Sequence, residues 1–251
     1  MTVSDQAWHQ PPADLPWPLA EVHVWRATLA WSGAATERLN QCLSADERDR
    51  MARFRLEKDR LRCLIGRGVL RTLLGHYLDL APQALRFEIT AAGKPHLASD
   101  QRQLQFNVAH SGEYVLIAIA DGRAVGIDVE EIRNDFEAGE VAMHFFSLNE
   151  QRDLEALTGR AKVEAFFDCW TRKEAYVKAR GEGLSLPLDQ FDVSLRPGEP
   201  ARLVATRPDP AEATRWRLSG LDVADGYKAA LAVEGQGWTL RFWDCPEELP
   251  R

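Results

Sequence analysis

Cysteine is scarce in this chain, and what there is does not pair. Of 251 residues only Cys42, Cys63, Cys169 and Cys245 are cysteines, and no two stand in C-x-x-C spacing. That pattern fits reduced thiols in the cytoplasm better than a disulfide framework or a structural zinc site. The six histidines contain no H-x-x-x-H pair, so a zinc-hydrolase reading has no support. No run approaches the roughly 18 apolar residues of a membrane helix, and no membrane partner is expected. Met1 to Ala20 has no apolar stretch of the signal-peptide kind, and Pro11, Pro12, Pro16 and Pro18 make it read as an irregular arm. Positive charge is not in excess: 31 Lys and Arg against 38 Asp and Glu leave a formal charge of −7. A nucleic-acid partner wants a broad cationic surface, so none is expected, while a local basic pocket for a small phosphorylated ligand stays compatible.

What is present is ordinary globular material. Hydrophobic residues make up 45% of the chain and charged residues 27%, enough for a sizeable core. The order of local signals repeats. Val22 to Leu29 alternates as a strand, Ser44-Ala45-Asp46-Glu47 is a capping box opening a short helix, and a longer helix runs from Lys58 to Leu78. Strands follow over 104–109, 114–120 and 124–130. In the second half, Ser147-Leu148-Asn149-Glu150 is another capping box before another short helix. A long helix then spans Lys162 to Arg180 and stops at Gly181, a natural residue just past a helix end. Strands are expected at 191–195, 216–221, 227–233 and 238–243. Element order and cap chemistry agree together, which points to two α+β halves related by duplication, with a ligand cleft between them. The expected division is an arm over 1–20, an N-terminal half over 21–123 and a C-terminal half over 124–251. Gly66-Arg67-Gly68 lacks the spacing of a phosphate loop and reads as close packing inside the long helix.

The chemistry concentrates in two places. On a strand, side chains two apart share a face, so Asp128 and Glu130 stand side by side. Two adjacent carboxylates repel unless something positive lies between them, and a hard cation such as magnesium, which keeps waters and phosphate as its other ligands, is the simplest solution. A solvated edge strand is the other reading. On the later helix Trp170, Glu174 and Lys178 share one stripe at i, i+4 and i+8. Glu174 is a candidate metal ligand or general base, and Lys178 a candidate phosphate contact. As a bare pair they are also the ordinary surface Glu–Lys spacing, worth only about 0.3–0.5 kcal/mol.

Taken in order, Phe106-Asn107-Val108-Ala109-His110-Ser111-Gly112, then Gly126-Ile127-Asp128-Val129-Glu130, then Trp170-Thr171-Arg172-Lys173-Glu174-Ala175 through Lys178 to Asp189 resemble the 4′-phosphopantetheinyl transferases of double length, the type that activates surfactin synthetase. The likeness extends more weakly over about residues 40–235. It implies a pseudodimer of two similar α/β halves, each a long helix on a small antiparallel sheet, with the active site between them. It implies transfer of the phosphopantetheine arm of coenzyme A to a serine of an apo acyl or peptidyl carrier protein, with release of adenosine 3′,5′-bisphosphate. Asp128, Glu130 and Glu174 would hold magnesium, for which manganese substitutes. Glu174 would take the serine proton, directly or through a water, and Lys178 would meet the departing phosphate. Lys173 faces elsewhere on the helix and ranks lower. His110, Lys94 in Gly93-Lys94-Pro95, Arg62 and, more weakly, Arg50 would bind coenzyme A at its nucleotide end.

The same likeness implies a cytoplasmic monomer. Carriers of this class are usually acidic, so docking is expected on a basic patch. Arg133, Arg152, Arg160 and Lys162 are the candidates, with Phe145 and Phe146 as apolar anchors. Two departures stand out: Ala109 where many relatives have serine, and Glu47 where some have lysine. The first removes a hydroxyl contact to phosphate, and the second alters the rim of the nucleotide pocket. The rival functions are a metal-dependent phosphohydrolase of a nucleotide diphosphate and a non-catalytic relative that binds coenzyme A or the carrier.

Overall fold

A computed structural model describes residues 6–98, 104–133 and 138–248; of the expected N-terminal arm, residues 1–5 lie outside the described residues. In chain order the elements are β1 (Glu21–Thr28), α1 (Gly33–Cys42), α2 (Ala45–Ala52), α3 (Glu57–Leu78), β2 (Phe87–Ile89), β3 (Pro95–Leu97), β4 (Leu104–Ser111), β5 (Tyr114–Asp121) and β6 (Val125–Glu131). They continue with α4 (Ala138–Phe145), α5 (Leu148–Glu155), α6 (Gly159–Arg180), β7 (Phe191–Val193), β8 (Leu203–Thr206), α7 (Glu212–Arg215), β9 (Trp216–Leu221), β10 (Tyr227–Glu234) and β11 (Thr239–Asp244). The class is α+β. No helix among the described residues is long and apolar enough to cross a membrane.

The chain folds as two compact units. One comprises Ala7–Glu88, His96–Gly122 and Trp238–Arg251. Its sheet has the order β11-β1-β5-β4, antiparallel except for β11, which runs parallel to β1 with Thr239 opposite Glu21. The helix α3 supplies the facing layer: Ile65, Val69, Leu70, Leu73 and Leu74 pack with Trp25, Phe106, Val115, Ile117 and Ile119. The Ser44 hydroxyl accepts the Glu47 N–H and Glu47 accepts the Ser44 N–H, completing the capping box that starts α2. A Cβ at Gly68 would lie 2.6 Å from the Leu39 Cβ, so α1 rests on α3 at that glycine, in keeping with the packing role expected of it.

The other unit comprises Met1–Gln6, Ile89–Pro95 and Arg123–Gly237. Here β6, β10 and β9 form an antiparallel sheet in that order, with Ala230 opposite Asp128 and Lys228 opposite Glu130. The 22-residue α6 covers it and is buried over much of its circumference, through Phe166, Phe167, Cys169, Ala175, Tyr176 and Ala179. Ser147 and Glu150 form the second capping box, starting α5. Gly181 at φ 67° ends α6 in the left-handed region, as the sequence predicts. Each unit thus has a capping-box helix, a 22-residue helix and three antiparallel strands in one sheet, the repetition read from the sequence.

Candidate active site

The strand β6 and the helix α6 bring the acidic residues together. At Gly126 a Cβ would lie 2.2 Å from the Ala175 carbonyl oxygen and 2.3 Å from the Ala179 nitrogen. Only glycine lets the helix backbone press onto the strand there, two residues before Asp128 and beside Glu174 and Lys178. This is why Gly126 precedes the acidic pair. The Asp128 carboxylate is buried, and Lys178 donates to its Oδ1 at 2.5 Å. Its Oδ2 is buried with no hydrogen-bond partner among the described residues. Burial pushes the Asp128 carboxyl up to about 7; Lys178 opposes that shift, while the nearby charges of Glu130 and Glu174 add to it. Glu174 is half-buried, and burial likewise raises its carboxyl, opposed by Lys178 and reinforced by Glu130.

Lys178 therefore departs from the bland i, i+4 surface pair and bonds to Asp128 on the neighbouring strand. Among the described residues no three His, Cys, Asp or Glu side chains converge closely enough to hold a metal ion as they stand. The chemistry of the donor set still fits a hard cation. Three carboxylates influence one another, one carboxylate oxygen is buried without a partner, and an ammonium supplies the positive charge that the buried Asp128 demands.

The folded state holds a proton on Asp128 that the unfolded chain releases from about pH 4 upward. The contribution of this group to stability is present below that pH and is lost as pH rises towards about 7. A divalent cation held by Asp128 would take its ionised form, so added magnesium should raise the unfolding temperature more at pH 8 than at pH 5.5. An increment that is equal, or larger at pH 5.5, would contradict this placement of Asp128.

Lys173, ranked lower from sequence, is wholly buried. Its ammonium pairs with Glu150 at 2.7 Å and donates to the carbonyls of Leu188 and Phe191, both at 2.7 Å. Sequence reasoning missed Glu150 as a partner because its capping-box role already explained it. Glu150 accepts the Ser147 N–H through one oxygen and the Val193 N–H through the other.

Lys94 belongs to the same unit as the acidic residues. Its ammonium donates to the carbonyls of Val125 and Ala179, and burial lowers it to about 8. The other expected nucleotide contacts lie in the other unit. His110 is exposed on β4, opposite Val115. Arg62 donates twice to the Gly112 carbonyl, at 3.1 and 2.9 Å, and once to Asp59, which sets its guanidinium against the turn after His110. Arg50 is exposed on α2 and shares the electrostatic surroundings of Cys63 with Arg67. Sequence reasoning missed Arg67 as a candidate cation; its guanidinium is lowered by burial, raised by Glu47 and lowered by Arg50.

The two departures acquire physical explanations. Ala109 is buried while its neighbour His110 is exposed, as alternation on a strand requires. A hydroxyl at 109 would therefore not share the face of His110. Glu47 is taken up by its own unit: it receives the Ser44 N–H and the buried Arg71 Nε at 2.6 Å. It places no unpaired negative charge at the end of α2.

Comparison with known proteins accords with this chemistry. Residues 124–232 match the profile of the 4′-phosphopantetheinyl transferase superfamily. Residues 29–121 match that of the 4′-phosphopantetheinyl transferase N-terminal region. The chain is similar to 4′-phosphopantetheinyl transferase HetI of Nostoc sp., at 37% identity over 238 residues, covering 94% of this chain and 97% of that one. It is similar to 4′-phosphopantetheinyl transferase Sfp of Bacillus subtilis at 32% identity, covering 78% and 84%. A solved holo-[acyl-carrier-protein] synthase of Thermotoga maritima aligns with 44% of this chain and 62% of its own, at 24% identity and a TM-score of 0.36, too partial a likeness to carry an argument. Near-full-length similarity to HetI, together with family matches over both stretches, places the chain in the 4′-phosphopantetheinyl transferase family.

Proposed function

We infer that this chain is a holo-carrier-protein synthase. It moves the 4′-phosphopantetheine group of coenzyme A onto a serine of an apo acyl or peptidyl carrier protein and leaves adenosine 3′,5′-bisphosphate. The observation that carries the reading is the buried Asp128 carboxylate, flanked by Glu130, Glu174 and Lys178, in a chain that belongs to this family. Asp128, Glu130 and Glu174 are the residues that would hold magnesium or manganese. When bound, the ion supplies positive charge to the diphosphate under attack.

The protein groups do the rest. Burial makes Glu174 a stronger base than an exposed glutamate, which suits it to accept the serine proton. Lys178 supplies the positive charge that the departing phosphate requires. Arg62, His110 and Arg50 are assigned to the nucleotide end of coenzyme A, on the N-terminal stretch 21–123, with the metal and catalytic motifs on 124–251. Lys94, expected beside them from the sequence, turns its ammonium to the carbonyls of Val125 and Ala179 in its own unit.

The carrier docks on the basic segment around α4 and α5. Phe145 is exposed there, together with Met143 and Leu148, and these form the apolar anchor. Phe146 does not, because it is buried against Phe166. Arg133 and Arg152 are exposed; Arg160 is exposed and paired with Glu164. All four cysteines are free thiols, which suits a cytoplasmic protein, and we assign it as a monomer.

The test separates this reading from a phosphohydrolase. The protein is mixed with magnesium and coenzyme A, with and without an apo carrier, and nucleotide release is followed. Release should require the carrier and should stop in excess chelator. Release without a carrier would make the chain a hydrolase, and undiminished transfer in chelator would remove the metal from the account.

A further inference from the structure

The side chain of Lys94 has no carboxylate partner among the ion pairs of the described residues, yet its ammonium is not idle. It donates to the Val125 carbonyl at 3.0 Å and to the Ala179 carbonyl at 3.2 Å. Both acceptors belong to the active-site elements of its own unit. Val125 opens β6, the strand of Asp128 and Glu130, and Ala179 lies in the last turn of α6, the helix of Glu174 and Lys178.

The carbonyls of a helix's last turn have no intrahelical donor, and a cation there also meets the negative end of the helix dipole. The Lys94 stem lies along the helix stop, since a Cβ at Gly181 would sit 3.1 Å from its Cδ. The backbone of Lys94 is itself held in a tight turn. The Thr90 hydroxyl accepts the Lys94 N–H, the Lys94 carbonyl accepts the Thr90 N–H, and Gly93 at φ 89° closes the bend. The two acceptors also flank the tightest contact between strand and helix. Val125 precedes Gly126, and Ala179 is the residue whose nitrogen would meet a Cβ there at 2.3 Å.

We propose that Lys94 is a positioning residue: its ammonium staples the last turn of α6 to the first residue of β6 and so sets the spacing of Glu174 and Lys178 from Asp128 and Glu130. Burial alone lowers this lysine to about 8, in keeping with an ammonium satisfied by neutral carbonyls rather than by a counter-charge. The assignment differs from the role that sequence resemblance gives the side chain, a direct grip on coenzyme A. Its consequence for transfer rests on the function proposed above, whereas its structural content does not.

Lys94→Met removes the donors and keeps most of the apolar stem; Lys94→Arg keeps donors on a longer arm. Two readouts are taken on each. The first is amide hydrogen exchange in the last turn of α6 and the first residues of β6, in protein without substrate. Lys94→Met should lose at least about tenfold protection there and little elsewhere, with Lys94→Arg recovering part of it. The second is the transfer rate with coenzyme A and with dephospho-coenzyme A. Lys94→Met should lower kcat with both by roughly ten- to a hundredfold, the scale of a small misplacement at a reacting centre, while the ratio between them stays that of the wild type. Collapse of that ratio with exchange unchanged would overturn the proposal and return the ammonium to the 3′-phosphate. Should Lys94→Met not fold, Lys94→Arg carries the same test, since wild-type exchange in both segments beside an altered substrate ratio would equally overturn it. Should the wild type transfer nothing, the exchange result still decides the staple, and only the function proposed above is lost.

Discussion

Glu174→Gln is expected to abolish most of the transfer rate while leaving the fold almost untouched. Glutamine matches glutamate in size and in helix propensity, so α6 should persist. Lys178 bonds to Asp128, so the change leaves that ion pair in place. What goes is a half-buried carboxylate raised by its surroundings, and with it a metal ligand and proton acceptor. A positioned general base alone contributes roughly 10²–10⁴-fold, and kcat should fall at least that far, with thermal unfolding shifted little. Lys178→Met should lower kcat as well and, in addition, disturb Asp128, whose buried carboxylate loses its ammonium. Because both groups serve one transition state, the double variant should lose less than the two single losses combined. Near-normal turnover in Glu174→Gln would leave the helix motif as scaffold only.

Lys173→Met should show the opposite profile: a large loss of stability from a residue outside the chemistry. Lys173 and Glu150 are a wholly buried ion pair, and each is further engaged by backbone groups. Removing one partner of such a pair leaves a buried charge uncompensated, which costs about 3–5 kcal/mol. The loss should appear in denaturant unfolding as a lower midpoint with little change in slope. Glu150→Gln should also destabilise, because it weakens the anchor of α6 and thins the capping box of α5. The double variant should fall short of the summed losses, since the two side chains touch. A Lys173→Met protein within about 1 kcal/mol of the wild type would show the pair to be dispensable, as some buried ion pairs are.

The contrast between neighbours on one helix shows what the sequence made legible. Glu174 and Lys178 stood out because i, i+4 spacing puts them on one stripe, and the structure keeps them there. That Lys178 turns to Asp128 rather than to Glu174 depends on the close approach of α6 to β6 at Gly126, a long-range contact that spacing alone does not reveal. Lys94 is the sharper case. A Gly-Lys-Pro turn reads as a loop with an available cation, and only the three-dimensional packing of α6 on β6 supplies the two carbonyls that engage it.

Elements with strong local signals were foreseen within a few residues. Both capping boxes form, α3 runs Glu57–Leu78 where Lys58 to Leu78 was expected, and α6 stops at Arg180. The short pieces were not foreseen. The helix α1 has a Ser32 cap but begins Gly33-Ala34-Ala35-Thr36, and its buried face rests on Ala35 and Leu39 alone. The helix α4 spans only eight residues, too few for a helical period to stand out in the sequence. The pairing of β11 with β1 was beyond reach for another reason. Parallel partners 218 residues apart leave no turn signature, in contrast to the tight β4–β5 hairpin. The two departures at Ala109 and Glu47 needed the fold as well: strand alternation decides the first, and Arg71, 24 residues away on α3, decides the second.

The central claim is most directly tested by intact-protein mass spectrometry of a panel of apo carrier proteins after incubation with this protein, magnesium and coenzyme A. The account predicts that at least one carrier gains the mass of a single phosphopantetheine group on its serine, with adenosine 3′,5′-bisphosphate released in equal amount. Carriers left unmodified while coenzyme A is cleaved, or a mass gain that persists undiminished in Glu174→Gln, would contradict it.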